Sequence, residues 1–172
     1  MDADDKVEPI VRYLQKLGSN HASIIYEASK WVFEHNRKAA LHIFIADSEE
    51  VESLPRHDTM IFLSNEIGDD VCLQYLEHII HHLGETGTEF HEKLISLYLA
   101  KLIDGDKGSH DYEKLLSFLQ TSHSYRPDRI LGRIPSDDMY NIRAILLGRL
   151  GRHEGALQIY VHQLKEHATA EQ

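Results

Sequence analysis

Apolar residues return every three to four positions along almost the whole chain, which is the period of a helix with one buried face. Val7, Ile10, Val11, Leu14 and Leu17 form one such stripe before Gly18, a helix-stopping residue, so a helix is predicted over about 5–17. A second, over about 22–35, is expected to bury Ile24, Ile25, Ala28, Trp31 and Val32, and a third, over about 37–46, to present Ala40, Leu41, Phe44 and Ile45. Ser53-Leu54-Pro55 reads as a cap and first-turn proline opening a helix through Met60, Ile61 and Leu63. Asp69 to Leu83 carries Cys72, Tyr75, Leu76, Ile79, Ile80 and Leu83 on one stripe before Gly84, and Thr88 to Ile103 carries Phe90, Leu94, Ile95, Leu97, Tyr98 and Leu102. Asp104-Gly105-Asp106-Lys107-Gly108-Ser109 is the clearest loop and the expected site of proteolysis. Helices are predicted beyond it at about 110–121, 127–132, 137–150 and 152–168. With no run of alternating β-branched residues, the expectation is an all-α chain of about ten helices.

One block recurs. Lys38-Ala39-Ala40-Leu41-His42-Ile43-Phe44-Ile45 matches Glu154-Gly155-Ala156-Leu157-Gln158-Ile159-Tyr160-Val161 position for position, each copy following an earlier apolar helix. Ala40 and Ala156 lie 116 residues apart, close to three units of about 39, within the period of solenoid repeats. This predicts an α-solenoid of antiparallel helical hairpins running through residues 1–172 as one continuous segment. Hairpins of this kind bury their apolar faces on neighbours, and the resulting array usually serves as a surface for partners. Both ends read as cut from a longer array, so the end helices are expected to lack their next neighbour and to offer a route to dimerisation.

At 172 residues, 42% hydrophobic and 27% charged, the composition is that of an ordinary soluble chain, and no apolar run approaches a membrane span. The acidic start lacks the apolar core of a signal peptide, and a single cysteine allows no internal disulfide. A net charge of −10 argues against nucleic acid as a partner. The charge is uneven: residues 1–119 hold 22 acids against 11 bases, whereas residues 120–172 hold 6 against 7. Arg126, Arg129, Arg133, Arg143, Arg149 and Arg152 therefore make the last third a candidate docking region for an acidic protein, with Arg126, Arg129, Arg133, Arg149 and Arg152 as its contact residues. The bland alternative is a solvated face whose arginines complement helix C-termini.

Candidate chemistry is thin. Thirteen histidines include His78, His81 and His82, and His78 with His82 has the i,i+4 spacing of zinc helices, but a third ligand is missing and Ile79 and Ile80 stand where a glutamate is required. Cys72 falls on an apolar stripe and reads as a small core hydrophobe. The pairs Glu49-Glu50, Asp69-Asp70 and Asp137-Asp138 fall where helices begin, where carboxylates complement the helix dipole. Gly105-Asp106-Lys107-Gly108 lacks the spacing of a phosphate loop, and Gly148-Arg149-Leu150-Gly151 reads as a turn between paired helices. Trp31, Phe44, Tyr75, Phe90, Tyr98 and Tyr160 read as core. No nucleophile, base and orienting group assemble, so neither enzyme activity nor a cofactor or metal is expected.

Several blocks in order carry a family resemblance. Glu50-Val51-Glu52-Ser53-Leu54-Pro55-Arg56, Tyr75-Leu76-Glu77-His78-Ile79-Ile80, Glu85-Thr86-Gly87 with Phe90-His91, and Leu94-Ile95 with Leu97-Tyr98 resemble the α-solenoid of the vacuolar-protein-sorting thirty-nine (Vam-six) family. The run from Leu146 to Val161 is similar to that family's clathrin-heavy-chain-type repeat. The likeness covers roughly residues 22–172 and is weakest over 101–112, where this chain is short. A paralogous family of the related CORVET tether shares the Tyr-Leu-Glu-His block and fits the Glu-Ser-Leu-Pro-Arg block less well. The resemblance implies a subunit of HOPS, the homotypic fusion and protein sorting tether, acting from the cytoplasm as a peripheral component of late endosome and lysosome or vacuole membranes, held there through partners. It further implies binding to other HOPS subunits and a link to a late-endosomal Rab GTPase. The family's β-propeller and extreme C-terminal region have no counterpart among these residues. The rival reading is a tetratricopeptide-like module that recruits acidic partner tails.

Overall fold

The computed structural model describes residues 3–104, 110–134 and 139–170, and among them the ordered elements are all helical. They form two compact units, Met1–Glu85 and Thr86–Gln172. In the first unit α1 (Ala3–Gln15) packs on both members of a hairpin, α2 (Ala22–His35) and α3 (Arg37–Ile45). Gly18 ends α1's turn with φ 78°, as its position in the sequence predicts. Asn36 separates α2 from α3 and caps the latter, its side chain accepting the Ala39 N–H at 3.0 Å. The short α4 (Glu49–Glu52) follows, capped by Ser48, whose hydroxyl accepts the Val51 N–H at 3.2 Å. Then come α5 (Arg56–Phe62) and α6 (Asp69–Glu77), each running on into a five-residue π turn, Leu63–Ile67 and His78–His82.

The core of this unit is an aromatic cluster. Phe44 of α3 lies with its ring centroid 6.2 Å from Tyr26 and Phe33 of α2 and 6.1 Å from Phe62 of α5. Thr59 is fully buried below it and bonds the Tyr26 hydroxyl at 2.9 Å, while Arg56 pairs with Glu85 at 2.9 Å. Burial pushes the Tyr75 phenol well above its usual value against the lowering effect of the Thr59 hydroxyl. Cys72 is buried and donates to the Met60 carbonyl, consistent with a small core residue.

The second unit pairs α7 (Thr88–Asp104) with α8 (His110–Thr121), and α10 (Tyr140–Arg149) with α11 (His153–Ala170). The short α9 (Pro127–Leu131) opens on Pro127 and packs against α10, as does α8. The turn into α11 is a Schellman motif: Gly151, at φ 77°, donates to the Gly148 carbonyl at 3.0 Å, and the Arg152 N–H reaches the Leu147 carbonyl at 2.8 Å. That accounts for Gly148-Arg149-Leu150-Gly151 without a ligand.

Each of the ten predicted helices has a counterpart, and the helical hairpins place the fold in the all-α, solenoid type. Four expectations need correction. A short helix, α4, stands between the third and fourth predicted ones. Ser53 does not cap α5; its hydroxyl donates to the Glu50 carbonyl at the end of α4, and Pro55 takes the cap position. Ile24 and Trp31 are exposed, because α2 buries Ile25, Ser29, Val32 and Phe33 instead. Finally, the two repeat copies differ in burial: Phe44 is 3% exposed, but its counterpart Tyr160 is 43% exposed and Leu157 is 62% exposed. Copy one lies against α1, α2, α4 and α6, whereas the packing of α11 is dominated by α10. Of the predicted loop, Asp104 is the last residue of α7, whereas residues 105–109, like the Asp137-Asp138 pair, lie outside the described residues.

Candidate functional site

Three of the five predicted arginines come together along α7. Arg126 sits at the N-cap of α9, and its backbone N–H donates to the Glu92 carboxylate at 3.1 Å. Arg129, one turn on, reaches the other Glu92 oxygen at 3.5 Å, and Arg133 donates to the Ser96 hydroxyl. Glu92 and Ser96 are four residues apart and therefore neighbours on the surface of α7. The Arg126 guanidinium pairs with Asp128 at 3.3 Å. Two carboxylates thus partly offset three cations that stay about half exposed at Arg126 and Arg129. Such a row offers planar donors to an acidic surface, at a strength that salt reduces.

Arg149 does something else. Its guanidinium donates to the Leu119 and Gln120 carbonyls at the end of α8 and to Nδ1 of His123, and lies 5.8 Å from the centroid of the Tyr125 ring. Leu119 and Gln120 are among the last carbonyls of α8, which have no partner inside the helix. Arg149 is therefore a clamp between α8 and α10. Arg152 is exposed in the Schellman turn.

The histidines occupy a π turn. The His78 and His82 rings stack with centroids 5.1 Å apart, and Nε2 of His82 lies 3.2 Å from Asp47. Among the described residues no group of three or more histidines, cysteines, aspartates or glutamates is placed to hold a metal ion. Burial, then the neighbouring His82, lowers the His78 pKa against the opposing pull of Asp47 and Glu52. The charged form of His78 is thus disfavoured in the folded state. Its contribution to stability is present above the ordinary histidine value of 6.5 and is lost as the pH falls below it. Urea midpoints are expected to decline below that pH, and His78→Gln to make the decline shallower; an unchanged slope in the variant removes His78 from the account.

Periodicity also missed a buried polar pair. Nδ1 of His91 on α7 lies 2.6 Å from the Ser122 hydroxyl at the end of α8, and the His91 ring stacks on Phe118 with centroids 5.2 Å apart. Both partners are buried, so the pair joins the two helices of a hairpin. Among the described residues no helix is long and apolar enough to cross a membrane.

Comparison with known proteins gives consistent relatives. The chain is 39% identical over 186 residues to the Vam6/Vps39-like protein of Mus musculus, an alignment covering 96% of this chain and 21% of that protein. It is 35% identical over 195 residues to the vacuolar protein sorting-associated protein 39 homolog of Caenorhabditis elegans, covering 98% and 21%. Similarity to the human transforming growth factor-beta receptor-associated protein 1 is lower, 28% over 159 residues, covering 86% and 18%. The chain thus spans about a fifth of the length of the relatives it matches. No protein-family model and no solved structure matches it.

Proposed function

The chain belongs to the Vam6/Vps39 family, and on that premise we propose that it is a non-catalytic scaffold and interaction segment of a HOPS-type membrane tether serving vacuolar protein sorting. The similarity along nearly the whole chain carries this reading, and helical hairpins in both units are the architecture a scaffold requires. The two units are proposed to be consecutive parts of one repeat array. Its partners are other HOPS subunits and a late-endosomal Rab GTPase, and it works from the cytoplasm, peripheral to late endosome and lysosome or vacuole membranes. Dimerisation through the end helices belongs to the same proposal.

Within it, Arg126, Arg129 and Arg133 supply the docking row. Arg149 and Arg152 complete the set on the sequence argument, although the clamp geometry of Arg149 gives that residue a second, intramolecular role. The test is capture of purified HOPS subunits, and of the Rab in its GTP and GDP forms, by this chain. Saturable retention of one of them supports the reading. No retention by a folded chain overturns it, and equal binding of isolated acidic peptides replaces it with the peptide-recruiting alternative. The triple change of Arg126, Arg129 and Arg133 to Gln is expected to weaken capture at least tenfold, about 1.4 kcal/mol, and to flatten its salt dependence, with the circular dichroism unchanged. Unaltered capture removes the row.

A further inference from the structure

We propose that the exposed ridge of α2 formed by Ile24 and Trp31 is a docking surface for a basic amphipathic helix of a partner protein. These side chains are 57% and 44% exposed, a large apolar pair that the fold leaves facing solvent. Seven residues apart, they share one helix face about 10 Å apart along the axis, the anchor spacing by which a partner helix is read. Trp is also the residue type most enriched among those that dominate binding energy.

The ridge is held in place before a partner arrives. The His35 ring lies against the Trp31 indole with centroids 4.0 Å apart, and its Nδ1–H donates to the Trp31 carbonyl at 2.9 Å. A side chain already restrained loses less freedom on binding.

Charge selects the partner. On a helical projection of α2, Glu27 and Glu34 lie along one flank of the ridge. Lys30 stands between Glu27, at 3.4 Å, and Glu66, at 3.8 Å, so that flank holds three carboxylates to one ammonium. Residues 1–85 as a whole carry 16 acids against 7 bases. An apolar strip edged by Lys or Arg complements this surface. A second copy meeting the same ridge brings its own carboxylates and is opposed, as is an anionic membrane.

Trp31 is the only tryptophan in the chain, so its emission reports on this ridge alone. The experiment titrates the chain with two model helical peptides free of aromatic residues, one of Lys and Leu and one of Glu and Leu. A saturable blue shift with the Lys/Leu peptide only is the expected result. Ile24→Glu, on an exposed position that leaves the circular dichroism unchanged, is expected to weaken it by about thirtyfold, the scale of one dominant contact. Glu27→Lys with Glu34→Lys is expected to transfer the preference to the Glu/Leu peptide. Equal shifts with both peptides, or a shift that Ile24→Glu leaves intact, overturn the proposal. So does a shift that appears on raising the concentration of the chain alone, which identifies a second copy, or on adding vesicles of anionic phospholipid.

Discussion

Phe44→Ala is expected to remove about 3–5 kcal/mol of stability from the first unit, while Tyr160→Ala, the corresponding aromatic truncation in the second repeat copy, costs no more than about 0.5 kcal/mol. The two residues occupy equivalent positions in matching blocks, so local sequence predicts equal effects. Their surroundings decide otherwise. Phe44 is nearly fully buried among Tyr26, Phe33 and Phe62, and removing its ring opens a void that close-packed neighbours fill only partly. Tyr160 stands on the exposed side of α11 and loses little contact on truncation. Urea unfolding separates the cases. Trp31 lies in the first unit and follows its transition, and far-ultraviolet circular dichroism follows the helices of both. A matching loss at both positions means that the two copies are equally packed in solution, and the contrast drawn from burial is then wrong.

The contrast shows what the apolar pattern can carry. A helix longer than two turns repeats its stripe often enough to be recognised, which is why α7, with Leu94, Ile95 and Leu102 fully buried, was readable. The four-residue α4 is too short to show a period; its only sequence signal is the Ser48 cap ahead of Glu49 and Glu50. On α2 the apolar residues cover more than one face, and periodicity cannot say which face meets the core. Packing chose Ile25, Val32 and Phe33, and Ile24 and Trp31 were left outside. The arginines divide for a similar reason. Their number in the last third is a sequence property, but the partner of each depends on how α8, α9 and α10 meet α7 and one another. Glu92 and Ser96 on α7 gather Arg126, Arg129 and Arg133, whereas the end of α8 takes Arg149.

Arg149→Ala is expected to destabilise the second unit by about 2–3 kcal/mol, the range for losing hydrogen bonds made by a charged group. The change strips the donor from the Leu119 and Gln120 carbonyls, leaves Nδ1 of His123 without its guanidinium partner, and removes the cation beside Tyr125. Tyr125 still donates to the Leu119 carbonyl at 2.6 Å, so the end of α8 is weakened and not released. Arg149→Lys should recover less than half of the loss, because one ammonium cannot span two carbonyls and a ring nitrogen as a planar fork does. Arg152→Ala, at an exposed turn position, is expected to stay within about 0.5 kcal/mol. These values decide how a partner-capture defect is interpreted. Lost capture in Arg149→Ala together with a lowered urea midpoint assigns the residue to holding α8 and α10 in register. Lost capture with an unchanged midpoint returns its guanidinium to the docking surface and contradicts the clamp.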